Sequence, residues 1–352
     1  MTIAAASAVR VSRVPPAAAR DAWQRLAGTT SQSHLAHAPE WARVIPQGYG
    51  HDPLYLDAED GAGGFGFLPA IIVRRPLVGT IVTSMPFLDG GGPCAGSAAL
   101  AARLATQLVA EARHEGATVV ELRCAHRLEI AWQPAEHKVN MVLPLPNDAE
   151  TLWRRLDRSV RNQVRKAERA GLSVESGGAE RLDEFYRFFA ARMHDLGSPV
   201  HGREFFAATL DAFGNRARVA IVLKGQTPIG GLIALACKDT LTVPWASCAK
   251  EYFSLCPNML LYWETIRAAC RERFERFDFG RSTRGSGTYA FKRQWGALES
   301  PLFWYTIPIG RRESRAADTR GRTADRLAGL WRHLPRSLTR RVGPHVRKYL
   351  VQ

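Results

Sequence analysis

The sequence predicts a mixed α/β protein of two tandem domains followed by a basic helical tail. Three observations carry this. The chain has 352 residues, and roughly 100–200 residues are usual for one domain. The order strand–strand–helix–strand is read twice along it. Past Pro308 the composition turns Arg-rich and polar. Apolar residues make up 46% and charged residues 23%, ordinary globular usage that excludes wholesale disorder.

In the first half, helices are expected at Pro16–Leu26 and Pro39–Gly48 and a strand at Pro53–Asp57. Paired strands follow at Gly64–Arg75 and Val78–Met85, then a helix at Ser97–Glu115 and a strand at Thr118–Arg123. In the second half, helices at Ala179–Asp195 and Arg203–Phe213 precede a strand at Ala217–Lys224. Paired strands at Pro228–Lys238 and Thr240–Ser247 lead to a helix at Asn258–Arg273 and a strand at Arg276–Gly280. Apolar alternation and β-branched enrichment mark the strands, and the spacing of Leu260, Trp263, Ile266 and Cys270 marks the helix. The halves share order without visible identity, so a repeated domain and two unrelated α/β domains both stand. LPLPND at Pro144–Asp148 supplies prolines and a cap. It sets domains at 1–146 and 147–310, with the tail at 311–352.

The formal net charge is +15, and it is concentrated. Trp153–Ala170 holds seven Lys/Arg against two acids, and Arg311–Gln352 holds twelve against three. The remainder is nearly neutral. The longest apolar run, around Ile229–Cys237, is far shorter than the ~20 residues of a spanning helix. Arg10 and Arg13 interrupt the alanine-rich start, which does not read as a signal peptide. Six scattered cysteines without a CxxC pair suggest neither a disulfide framework nor a zinc site. His34, His37, His51, His194 and His201 have no metal-binding spacing. A cytoplasmic protein without a metal is expected.

Three segments are candidates for chemistry. In Leu152–Leu172, Arg154, Arg158, Arg161, Arg165 and Arg169 fall on one side of a helical wheel, opposite Leu156, Val160, Val164 and Ala167. If a new helix starts near Ser159, the shorter stripe of Arg161, Arg165 and Arg169 survives. Gly171 is the expected C′ residue. Such a stripe is either a solvated face or a site for a phosphate-bearing ligand. In Phe277–Ala297, a buried strand delivers Arg281 and Arg284 into a Ser/Gly-rich turn, followed by a short helix with Tyr289, Lys292 and Trp295. Strand carboxyl ends commonly build α/β sites, although an ordinary turn is the other reading. In Thr240–Ser247, Pro244 implies an edge or a bulge, which either exposes backbone N–H groups as an oxyanion hole or is a plain irregularity. Trp245 either lines a pocket or fills core. GGGP at Gly90–Pro93 lacks a following Lys-Ser/Thr and reads as a tight turn.

The run SVRNQVRKAERAGLSVE resembles the basic helix and strand that open the second domain of FemABX-type aminoacyl transferases. FDFGRSTRGSGTYAFKRQWGA resembles their late motif, and CPNMLLYWETIRAAC is similar to a helix of the related BioF2-like acetyltransferase domain. The resemblance covers about Pro39–Pro308. Within that family the chain is most similar to FemAB-like proteins of exosortase (PEP-CTERM) and exopolysaccharide systems.

The resemblance implies two tandem GNAT-like domains and transfer of an acyl or aminoacyl group to an amine, an acyltransferase of the EC 2.3 class. It implies an acceptor such as a peptidoglycan precursor carrying a pyrophosphate. No tightly bound cofactor is implied; the donor is aminoacyl-tRNA, acyl-CoA or an acyl-carrier thioester. It carries over Arg161, Arg165 and Lys166 as phosphate contacts and Lys292 as the catalytic lysine, with Tyr289 beside it as a polar catalytic partner; Arg281, Arg284 and Trp245 are added as substrate-binding candidates from their positions in the two strand-end segments. The chain departs from CoA-binding domains in one place, since CAKEYFSLCPN carries no glycine where a pyrophosphate loop is rich in it. Two other readings are an inactive FemAB-like binding protein of an envelope system and an RNA-binding protein. In the tail, Leu327, Leu330, Trp331 and Leu334 fit one apolar face ringed by arginines. Residues 322–350 would lie on the inner face of the membrane or pack back on the first domain.

Overall fold

The computed structural model describes residues 9–29, 34–76, 78–310 and 328–351. These form two compact units, one of residues 9–138, 301–310 and 351, the other of residues 139–300 and 328–350. The division falls at Lys138/Val139, earlier than the expected 146/147, and the chain returns to the first unit after Ser300.

The first unit runs β1 (Arg10–Val14), α1 (Ala19–Thr29), α2 (Trp41–Tyr49), β2 (Asp52–Glu59), β3 (Phe65–Arg75), β4 (Gly79–Ser84), the short β5 (Cys94–Ala95), α3 (Ala98–His114) and β6 (Ala117–Cys124). β7 (Ala135–Pro144) follows. The second unit runs α4 (Ala149–Arg155), α5 (Arg158–Arg169), β8 (Leu172–Gly177), α6 (Leu182–Asp195), α7 (Arg203–Phe213), β9 (Ala217–Lys224), β10 (Thr227–Cys237), β11 (Thr240–Cys248), α8 (Pro257–Arg271), β12 (Arg276–Thr283) and α9 (Gly287–Arg293). β13 (Leu298–Pro308) and the tail helices α10 (328–333) and α11 (Arg336–Arg347) complete the chain.

The expected repeat of order extends to the sheets. β1–β2–β3–β4 are antiparallel neighbours and β4 runs parallel to β6. β8–β9–β10–β11 are antiparallel neighbours and β11 runs parallel to β12. Each parallel step needs a crossover helix, which α3 and α8 supply. The last strands are distributed across the chain. β13, made after β12, pairs antiparallel with β6, while β7, made after β6, neighbours β12.

Each sheet buries its apolar alternation against its crossover helix. In the first unit Leu100, Leu104 and Leu108 of α3 meet Leu56, Leu68, Ile72 and Val120. In the second, Leu260, Trp263 and Ile266 of α8 and Val160, Val164 and Ala167 of α5 meet Leu232, Leu241, Phe277 and Phe279. The described tail helices pack on the second unit, which differs from the expected packing on the first domain, and only Val351 after them belongs to the first unit, where Arg123 donates to its carbonyl. Arg336 pairs with Asp195 at the end of α6 at 3.0 Å, and Thr339 lies 3.1 Å from His194 Nδ1. Gly343 lies against Val200. The helix expected through Leu334 stops at Pro335, and Leu327 lies outside the described residues. Among those residues, no helix is long and apolar enough to cross a membrane.

Close packing also explains GGGP. β4 and β6 remain paired through Thr83 and Glu121. Beyond them the Arg123 N–H donates to Ser84 Oγ at 2.8 Å and the Gly92 N–H to Arg123 O at 2.7 Å. Residues 85–93 thus fill the carboxyl end of the parallel pair, where a Cβ on Gly92 would sit 2.4 Å from Cys124 Sγ. Gly92→Ala is expected to destabilise the first unit by about 1–3 kcal/mol, the usual cost of overpacking, read as a lower thermal midpoint.

Candidate functional site

The carboxyl ends of β11 and β12 are built differently. Their parallel register runs from Thr240/Arg276 to Thr242/Asp278. Pro244 then lies in a bulge, since three steps of β11 from Thr242 to Trp245 oppose two of β10 from Leu235 to Ile233. Proline has no N–H to give the ladder, so the strand leaves register there. On β12 the departure is made by Gly280, at φ +71°, which a residue with a side chain adopts only at a cost. Asp278 fixes that bend: its carboxylate accepts from the Gly280 N–H at 2.7 Å and from Asn140 Nδ2 on β7 at 3.1 Å.

Lys292 holds the other side of the bend. It is buried, and its Nζ donates to Gly280 O at 2.9 Å and Arg281 O at 2.7 Å. These charge-assisted bonds make it a positioning residue for the turn. Ser286 caps α9 by accepting from the Tyr289 N–H at 3.2 Å. Arg284 and Tyr289 converge on Glu299, a residue the sequence reading did not single out. Arg284 Nε lies 3.3 Å from its carboxylate, and hydrogen bonds from Tyr289 and Arg284 hold the exposed carboxyl below its usual range. The turn therefore puts Lys292 on the Gly280 and Arg281 carbonyls and joins Arg284 and Tyr289 at Glu299, while the Arg281 charge acts on His201.

Trp245 is part of the core. It is 5% exposed and meets Phe205, Phe206 and His201 edge-on, with ring centroids 5.6, 5.1 and 6.3 Å away. Of the two expected roles, lining a pocket or filling core, this location is the core one. His201 entered the sequence reading only among the histidines without metal-binding spacing, as PVHG ahead of α7 carries no motif. Its ring stacks on Phe205 at 4.9 Å, and its Nε2 accepts from Arg347 Nε of the tail at 3.1 Å. Burial, then the charges of Arg347 and Arg281, push its pKa well below the usual imidazole value. It is therefore neutral in the fold.

The basic helix is placed elsewhere in this unit, packed on α8 and β8. Of the two readings of Leu152–Leu172, the one with a second helix holds: Leu156 turns into the core in extended backbone and Asp157, two residues before Ser159, precedes α5. Arg154 thereby leaves the stripe, and Arg158, Arg161, Arg165 and Arg169 remain opposite the buried Val160, Val164 and Ala167. Arg165 lies over the Trp153 ring at 5.6 Å, itself 4.6 Å from Trp263. Arg161 Nε is buried with no hydrogen-bond partner among the described residues. Lys166 is exposed.

The segment ahead of α8 forms a 3₁₀ helix, Lys250–Leu255. The Tyr252 N–H donates to Ala249 O, Cys256 N–H to Phe253 O and Met259 N–H to Cys256 O, while Pro257 has no N–H. These internal bonds occupy backbone donors that a pyrophosphate loop turns toward its ligand. No group of three or more potential metal ligands occurs among the described residues.

His201 generates a prediction. Its folded pKa lies below its unfolded one, so below about pH 6.5 the unfolded chain binds a proton the fold does not. Its contribution to stability is present at neutral pH and lost as pH falls. In urea unfolding, His201→Gln is expected to flatten the loss of stability as pH falls below about 6.5; an unchanged pH dependence contradicts it.

Residues 154–293 match the acetyltransferase (GNAT) domain model. No curated protein matches the chain in sequence. The crystal structure of FemX matches with a TM-score of 0.65 and 12% identity, over 85% of this chain and 97% of that one. A tandem GNAT protein from the clavulanic acid biosynthesis pathway matches at 0.55 and 10%, over 87% and 100%. The C-terminal domain of a putative lysylphosphatidylglycerol synthetase from Agrobacterium fabrum matches at 0.53 and 13%, over 83% and 93%. The chain thus has the tandem GNAT fold shared with FemX, and its residues 154–293 are similar to the acetyltransferase (GNAT) domain model.

Proposed function

We propose that the second unit transfers an aminoacyl or acyl group from an ester or thioester to an amine, with aminoacyl-tRNA as the donor in preference to acyl-CoA. The observation that carries this is the end of β11–β12 pairing after Thr242 and Asp278, beside a 3₁₀ segment in which the Tyr252, Cys256 and Met259 N–H groups bond internally. The acceptor is a phosphate-bearing precursor of the cell envelope or of an exopolysaccharide. Arg161, Arg165 and Lys166 take phosphates of donor or acceptor, and Arg281 and Arg284 take charge nearer the reacting ends. The exosortase setting comes from the sequence resemblance. The reaction is placed on the cytoplasmic side of the inner membrane, with peripheral contact through the tail.

In this mechanism the acceptor amine attacks the donor carbonyl, forming a C–N bond and a tetrahedral oxyanion. Backbone N–H groups around Trp245 stabilise that charge. Collapse breaks the carbonyl–oxygen bond of the donor ester, and the proton lost by the amine goes to the departing hydroxyl. Holding both reactants supplies much of the acceleration, as effective molarities are worth about 7–11 kcal/mol. Lys292 keeps Gly280 and Arg281 in place, with Tyr289 beside it.

The test compares labelled aminoacyl-tRNA with labelled acyl-CoA, using a nucleotide-linked peptidoglycan precursor with a free amine. Label is expected to move from the tRNA. Arg165→Ala should lower kcat/KM by about tenfold, the loss of one charge-assisted contact of about 1.5 kcal/mol, and Lys292→Ala by more. Transfer from acyl-CoA alone contradicts the donor, and full activity in both variants contradicts the residue assignments.

A further inference from the structure

The tail helices present two faces with different chemistry. One is used within the second unit. Thr339 and Gly343 are buried there, Arg336 pairs with Asp195, Arg340 lies over the Tyr186 ring at 5.6 Å and Arg347 donates to His201. On the helical wheel of α11 these five residues fall on one side.

The opposite side carries Leu338 and Val342, 43% and 38% exposed, continued toward the amino end by Leu334 at 38% and by Leu330 of α10 at 66%. Four large aliphatic side chains spaced four residues apart and open to water are costly to leave uncovered. Arg341 on α11 and Lys348 just after it lie along one edge of the stripe, His345 lies within it, and Arg332 is exposed on α10. Residues 328–351 contain six Lys/Arg and no Asp or Glu.

From this we infer that α10 and α11 dock the second unit on an anionic phospholipid bilayer, with Leu330, Leu334, Leu338 and Val342 in the interfacial acyl region. Arg332, Arg341 and Lys348 then lie at headgroup phosphates. An aliphatic stripe with cations along one edge matches this surface, because it gains from hydrocarbon while the cations gain from phosphate. A nucleic acid backbone would reward the cations and leave the leucines in water. A second copy would set two acid-free tails against each other. The inference rests on the inner-membrane placement proposed above and identifies the face and the partner. The bonds to Asp195 and His201 fix this face relative to the β11–β12 end of the same unit.

Co-sedimentation of the full chain with vesicles tests this. Binding is expected to phosphatidylcholine–phosphatidylglycerol vesicles and not to phosphatidylcholine alone. Leu338→Glu and Val342→Glu should each weaken it about tenfold, the scale of one exposed aliphatic side chain losing its burial. Both positions are exposed, so an unchanged thermal midpoint verifies folding. No binding to either vesicle, or wild-type binding by both variants, overturns the inference. So does salt-sensitive tRNA binding lost in those variants without vesicle binding. Transfer to the nucleotide-linked acceptor should be unchanged in both variants. Its absence in the wild type would instead count against the proposed reaction.

Discussion

Two residues with opposite backbone limitations separate β11 from β12, and the rest of the second unit is arranged around that separation. Pro244 cannot donate to the ladder, so β11 bulges. Gly280 turns β12 away at φ +71°. Neither effect persists alone, since an unsupported bend would let the strands close up. Asp278 receives the Gly280 N–H and Lys292 binds the two carbonyls that follow. The bend is therefore held by charged groups on both sides, in a part of the sheet already backed by Phe277, Phe279 and α8.

The first unit shows what the same scaffold does without that device. Its strand order repeats that of the second, including the parallel step from β4 to β6. Here the carboxyl end is filled by residues 85–93, with Gly92 against Cys124. A small residue allows the loop to approach the strand closely, and its N–H is taken up by Arg123. Packing in one unit and parting in the other are the reasons the proposed reaction is put in the second. That unit also bears the basic helix and the tail.

Much of this fold was legible because its strands and helices alternate cleanly. β10, β11, α7 and α8 lie within a residue or two of their expected bounds. β7 shows the same alternation at Val139, Met141 and Leu143, but only over a short stretch after a polar start. That β13 returns to β6 is a long-range pairing to which no local pattern points. The turn after β12 was visible through its glycines and cations. Glu299 and His201 were not, because their place depends on groups brought from far along the chain: Arg284 and Tyr289 for one, Arg347 for the other. Lys292 was legible as important while its local role, binding two carbonyls, needed coordinates. The break at Leu156 similarly overrides a good helical pattern, since burial of that side chain outweighs continuity.

The central claim is that the parted ends of β11 and β12 receive the donor, whereas the filled ends of β4 and β6 do not. Amide hydrogen exchange with a hydrolysis-resistant aminoacyl-tRNA analogue measures this directly. Protection is predicted in residues 242–248 and 279–284, with no change in 82–93. Protection confined to the first unit, or the same pattern on adding acyl-CoA with new protection at 250–258, would contradict the account.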